Sequence, residues 1–111
     1  MLPESSKLLL DIRLALEDIK SFTESLDLAA YKADAKCRAA VERKFEVAGE
    51  ACVRLRERFP AIYERLHDAP RLVGFRNRII HGYDEVDDAI VWDVATAKIQ
   101  PLLDQISALM D

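Results

Sequence analysis

The sequence predicts an all-α fold, an up-and-down bundle of four main helices plus a short one, and three observations predict it. Only three glycines and four prolines punctuate the 111 residues, too few for the many turns of a β-rich domain. Apolar residues recur at steps of three and four, the period of helices with one buried face. No alternating strand pattern, internal repeat or low-complexity tract interrupts them. The length suits one domain over 1–111 and leaves no room for two.

The first helix is expected from about Ser6 to Phe22, capped by Ser5 or Ser6, with Leu8, Ile12, Ala15, Ile19 and Phe22 facing the core. Asp27 is a suitable cap for a second helix, which reads as unbroken to Phe59, where Pro60 stops it. Val41, Phe45, Ala48, Cys52, Leu55 and Phe59 form its seam, and Gly49 within that seam invites close approach of a neighbouring helix. A short helical piece over about 61–66 leads to Asp68-Ala69-Pro70, a cap and first-turn proline that start a third main helix. Gly82 stands where a C′ glycine closes a helix, and Tyr83-Asp84-Glu85 is a connecting loop. The last helix starts near Asp87 or Asp88 and is kinked or split by Pro101.

Composition narrows the function classes. No apolar run approaches the roughly 18 residues of a membrane span. The N-terminal residues lack a signal-peptide pattern, so a cytoplasmic location is expected. Cys37 and Cys52 sit about 22 Å apart along one predicted helix, too far to pair. With His67 and His81 the only histidines, no metal-ligand spacing is visible and no cofactor is expected.

The net charge of −4 is unevenly spread: from Arg54 to Arg78 seven arginines face three acids. After Arg78 the only cation is Lys98, set against seven acids. An arginine cluster inside an acidic chain suits a focused phosphate contact, although a solvated face laced with ion pairs has the same composition.

The chemistry concentrates in Arg76-Asn77-Arg78-Ile79-Ile80-His81-Gly82-Tyr83. Imidazoles titrate near neutrality, which suits general acid–base work, and His81 lies in the last turn of its helix. Asn77 precedes it by four residues and shares its face. Arg76 precedes it by five, a rotation of about 140°. One helix therefore presents Arg76 and His81 awkwardly to one small ligand. Two such helices meeting on a twofold axis would pool both groups, so a homodimer with a shared site is expected.

At these residues the chain resembles HepT-type toxins of the HEPN ribonuclease superfamily, whose motif is Arg-x4-His-x-Tyr with a polar residue after the arginine. Gly49-Glu50-Ala51 resembles the Gly-Glu-Ala of that family's long helix, and Ile90-Val91-Trp92 its helix after the loop. The resemblance implies a metal-independent endoribonuclease that forms a toxin–antitoxin pair with an MntA-type nucleotidyltransferase. It also implies that this partner silences the toxin by adding AMP to Tyr83.

In that reading Arg76 and His81 are catalytic, while Asn77 and Glu50 support them. Arg71 and Arg78 contact flanking RNA phosphates. Two other readings stay open at this stage: a non-catalytic helical partner that binds a nucleotidyltransferase or its nucleotide, and a purely structural dimerisation bundle.

Overall fold

A computed structural model describes residues 1–111 as an all-α bundle without strands. Helix α1 spans Pro3–Thr23, α2 Leu28–Ala33, α3 Ala35–Arg58, α4 Pro60–Tyr63 and α5 Ala69–His81. A 3₁₀ turn at Tyr83–Glu85 leads to α6 at Asp88–Asp93, a π turn at Val94–Lys98 and α7 at Gln100–Met110. The four main rods are α1, α3, α5 and the continuous α6–π–α7 unit.

Ion pairs fix the directions. Arg58 pairs with Glu4 and Lys44 with Asp18 at 2.9 Å, so α3 runs antiparallel to α1. Lys20 donates to Gln100 at 2.6 Å while Arg13 meets Asp111 at 3.7 Å, so α7 also runs against α1. Leu9, Ile12, Leu16 and Ile19 of α1 interlock with Val41, Phe45, Cys52 and Leu55 of α3, all fully buried. No helix is long and apolar enough to cross a membrane.

Several boundaries differ from the sequence reading, each for a local reason. Helix α1 starts at Pro3, because a proline in the first turn needs no N–H donor. Ser5 Oγ bonds back to the Leu2 carbonyl at 2.8 Å instead of capping, and Phe22 remains exposed.

The second predicted helix is two helices, broken at Asp34. That residue is extended (φ −108°, ψ 92°), and its carboxylate accepts the Cys37 N–H at 2.9 Å to start α3. The break turns α2 across the bundle, where Tyr31 packs on Trp92 with ring centroids 5.3 Å apart.

Gly82 closes α5 at φ −118°, ψ 37°, with its N–H on the Arg78 carbonyl at 2.9 Å. It is therefore not the left-handed cap expected from its position. Asp68 does not cap α5 through its side chain; it exchanges two bonds with Gln105 instead. The π turn falls just before Pro101, which has no N–H for the ladder and crowds the preceding turn.

Both cysteines are free. Burial pushes the Cys52 thiol up to about 12, and partial burial raises that of Cys37, so neither is poised as a thiolate.

Candidate active site

The site is built where α5 crosses α3. Phe75 meets Phe45 edge-on at 5.0 Å, and Leu72, Val73 and Ile79 are buried beside it. At the crossing, Gly49 of α3 lies directly under Arg76 of α5. A Cβ built on Gly49 would fall 2.4 Å from Arg76 Cγ and 2.6 Å from its Cβ. The glycine is therefore what lets the arginine stem lie flat across α3.

Arg76 Nη2 donates to Glu50 Oε2 at 2.7 Å, and its Nη1 to Asn77 Oδ1 at 2.8 Å. Its Nε is buried with no partner, and only 19% of the side chain is exposed. Glu50 also receives Arg54 at 3.3 Å, so the carboxylate is held from two sides. The result is a cation fixed in position before any ligand arrives, with its charge only partly neutralised by the shared carboxylate. Arg76 and Ile80 line a groove of about 530 Å³ between α1 and α3, which also receives Arg43, Lys44 and Arg54.

A consequence for stability follows at Gly49. Gly49→Ala must push the stem of Arg76 or the two helices apart, and such overpacking costs about 1–3 kcal/mol. Thermal unfolding should show a melting temperature lower by several degrees, about 4–8 °C per kcal/mol for a domain of this size. An unchanged melting temperature would contradict the close approach.

The other residues stand apart from this centre. His81 is exposed in the last turn of α5 and lines neither the groove beside Arg76 nor the one between α5 and the C-terminal helices. Arg71 and Arg78 face the opposite groove, between α5 and the C-terminal helices. Tyr83, 80% exposed, opens the 3₁₀ turn. Within one protomer the structure thus brings Arg76, Asn77 and Glu50 together and leaves His81, Arg71, Arg78 and Tyr83 outside that cluster. No group of three His, Cys, Asp or Glu side chains converges as a metal-holding cluster.

The ribonuclease HepT-like family model matches residues 12–109, nearly the whole chain. The chain belongs to the HepT-like family. Among its relatives, a candidate RNase of Methanocaldococcus jannaschii is 34% identical over 95 residues, covering 82% of this chain and 78% of its own. A second from that organism is 29% identical over 102 residues, 92% of this chain and 84% of its own. A candidate ribonuclease HepT of Thermococcus cleftensis is 32% identical over 95 residues, 83% of each chain. No solved structure matches the chain.

In this HepT-like chain, one feature of the site escaped the sequence. The second groove contains Gly74 and Lys98, which neither motif nor periodicity singles out. Glu50, expected to support Arg76, pairs with it at 2.7 Å, and the same carboxylate also receives Arg54, four residues on.

Proposed function

We propose that this protein is a metal-independent endoribonuclease toxin whose active site is completed across a homodimer. The observation that carries this reading is the divergence of the two motif side chains on α5. Arg76 is pinned inward by Glu50 and Asn77, while His81 is exposed at the helix end, about 140° away around the axis. A second protomer approaching on a twofold axis would bring its own His81 to the first protomer's Arg76.

The chemistry needs no external nucleophile, because RNA carries its own 2′-hydroxyl. His81 takes the proton of that hydroxyl as its oxygen bonds to phosphorus. The bond from phosphorus to the 5′-oxygen breaks, and the departing oxygen takes the proton back from the imidazolium so formed. Arg76 holds the phosphate and stabilises the charge that develops on its equatorial oxygens, an effect strongest for donors already in place. Asn77 and Glu50 orient Arg76, and Arg71 and Arg78 hold flanking phosphates.

RNA cleavage should persist in excess EDTA and yield ends with 2′,3′-cyclic phosphate, or the 3′-phosphate derived from it. DNA, which lacks the 2′-hydroxyl, should be spared. Purified protein free of any antitoxin that cuts no RNA would overturn the nuclease reading and favour a nucleotide-binding partner instead.

The same reading assigns the partner and the switch: an MntA-type nucleotidyltransferase adds AMP to Tyr83. The exposure of the tyrosines supports this assignment. Tyr83 is 80% exposed, whereas Tyr31 is completely buried and Tyr63 half-buried. Co-expression with the nucleotidyltransferase should raise the intact mass in steps of one AMP, and Tyr83→Phe should abolish the addition. Modification confined to Tyr31 or Tyr63 would contradict it. A bulky anion at Tyr83 silences the enzyme by competing with RNA phosphate for the cations of the site.

A further inference from the structure

A second groove, of about 400 Å³, separates α5 from the α6–π–α7 unit. Its floor is apolar, made by Leu72 and Phe75 on one wall and Ile90, Val94 and Leu102 on the other. Its charged residues are Arg71, Arg78 and Lys98, with Asp68 the sole acid. Asp68 is already occupied, by Gln105 Nε2 at 2.6 Å and by Arg71 at 3.9 Å. Arg78 and Lys98 have no ion-pair partner in the protomer. In an acidic chain, this is a local surplus of unengaged positive charge over an apolar surface.

The residue at the lip of this groove is Gly74, in the middle of α5. Glycine inside a helix is unfavourable, because it loses the most backbone freedom on folding. Gly49 has its reason in Arg76, but a Cβ on Gly74 would meet nothing within 4 Å. Nothing in the folded protomer needs a glycine here, so the space above it is available to a group that approaches from outside. Arg71, Gly74, Arg78 and His81 follow one another at steps of three, four and three, a single stripe along α5. The groove therefore shares a helix face with His81, with Gly74 about 10 Å from it along the axis.

We propose that this groove seats an unpaired nucleotide of the RNA beside the cut, its base on the apolar floor over Gly74. Its phosphates lie on Arg71, Arg78 and Lys98. The proposal rests on the ribonuclease reading and deepens it: the enzyme selects single-stranded RNA, because a base held in a duplex cannot turn into the groove. Apolar floor and cationic rim together match a nucleotide, whereas an apolar partner helix would leave Arg78 and Lys98 unanswered.

The test uses the full-length protein carrying Gly74→Leu, which fills the groove, and Lys98→Glu, an exposed change on the opposite wall. Binding of a fluorescent single-stranded RNA and of its duplex is measured in the His81→Ala background, and cleavage in the His81 protein. Melting temperature and light scattering are recorded for each. The expected result is folded protein of unchanged oligomeric state, with single-strand affinity and cleavage lowered about tenfold or more by either variant. The parent should prefer the single strand to the duplex.

Parent-like binding and cleavage by both variants would overturn the proposal, as would equal binding of duplex by the parent. Loss of the dimer in Gly74→Leu would assign the groove to a second copy of the chain and overturn it as well. Should Gly74→Leu fail to fold, Lys98→Glu alone decides. Failure of the nuclease reading looks different: the parent would bind RNA in the groove and cut none.

Discussion

Replacing His81 by alanine is expected to lower RNA cleavage about 10²–10⁴-fold, the usual contribution of a general acid–base group. The melting temperature should not change, because the imidazole is exposed and makes no hydrogen bond in the protomer. Arg76 calls for a different substitution. Only 19% of its side chain is exposed and its stem lies across Gly49, so Arg76→Ala would remove packing as well as charge. The stem belongs to the α3–α5 contact.

Arg76→Lys keeps the stem and the charge but loses the planar fork that reaches Glu50 and Asn77 together. It should reduce the cleavage rate about 10²–10³-fold, as expected for loss of one preorganised donor to a developing oxyanion. Arg71→Ala, at a largely exposed position, should weaken RNA binding modestly and reduce its salt dependence. Steady-state cleavage of a fluorescent RNA, with circular dichroism melts of each variant, measures all three. Parent-like cleavage by His81→Ala would remove the histidine from the mechanism.

The main helices were legible because burial imposes a period on them. The seam from Val41 to Leu55 is fully buried, and the positions of the prolines mark where α4, α5 and α7 begin. The break at Asp34 was not legible. An aspartate between alanines fits a helix surface as well as a cap, and only the turn that buries Tyr31 against Trp92 decides between them. The φ of Gly82 was hidden for a similar reason, since a glycine permits the left-handed cap without requiring it.

In the site, Gly49 announced a close approach, but the group that approaches is one arginine side chain, which helical spacing within α3 cannot name. No motif or apolar period singled out the stripe of Arg71, Gly74, Arg78 and His81. Its meaning depends on the groove that α6 and α7 build beside it, a contact between segments far apart in sequence.

If Arg76 of one protomer works with His81 of the other, two differently defective chains should complement each other. Arg76→Lys and His81→Ala chains carrying different affinity tags are co-expressed and purified through both tags, which yields heterodimers alone. Each heterodimer has one site with both defects and one with neither. Two inactive chains should therefore combine to give about half the parent's rate of RNA cleavage. If the site lay within one chain, every site in the heterodimer would carry a defect. A doubly tagged heterodimer as inactive as its parents, or a parent protein that is fully active as a 12.6 kDa monomer by light scattering, would contradict the shared site.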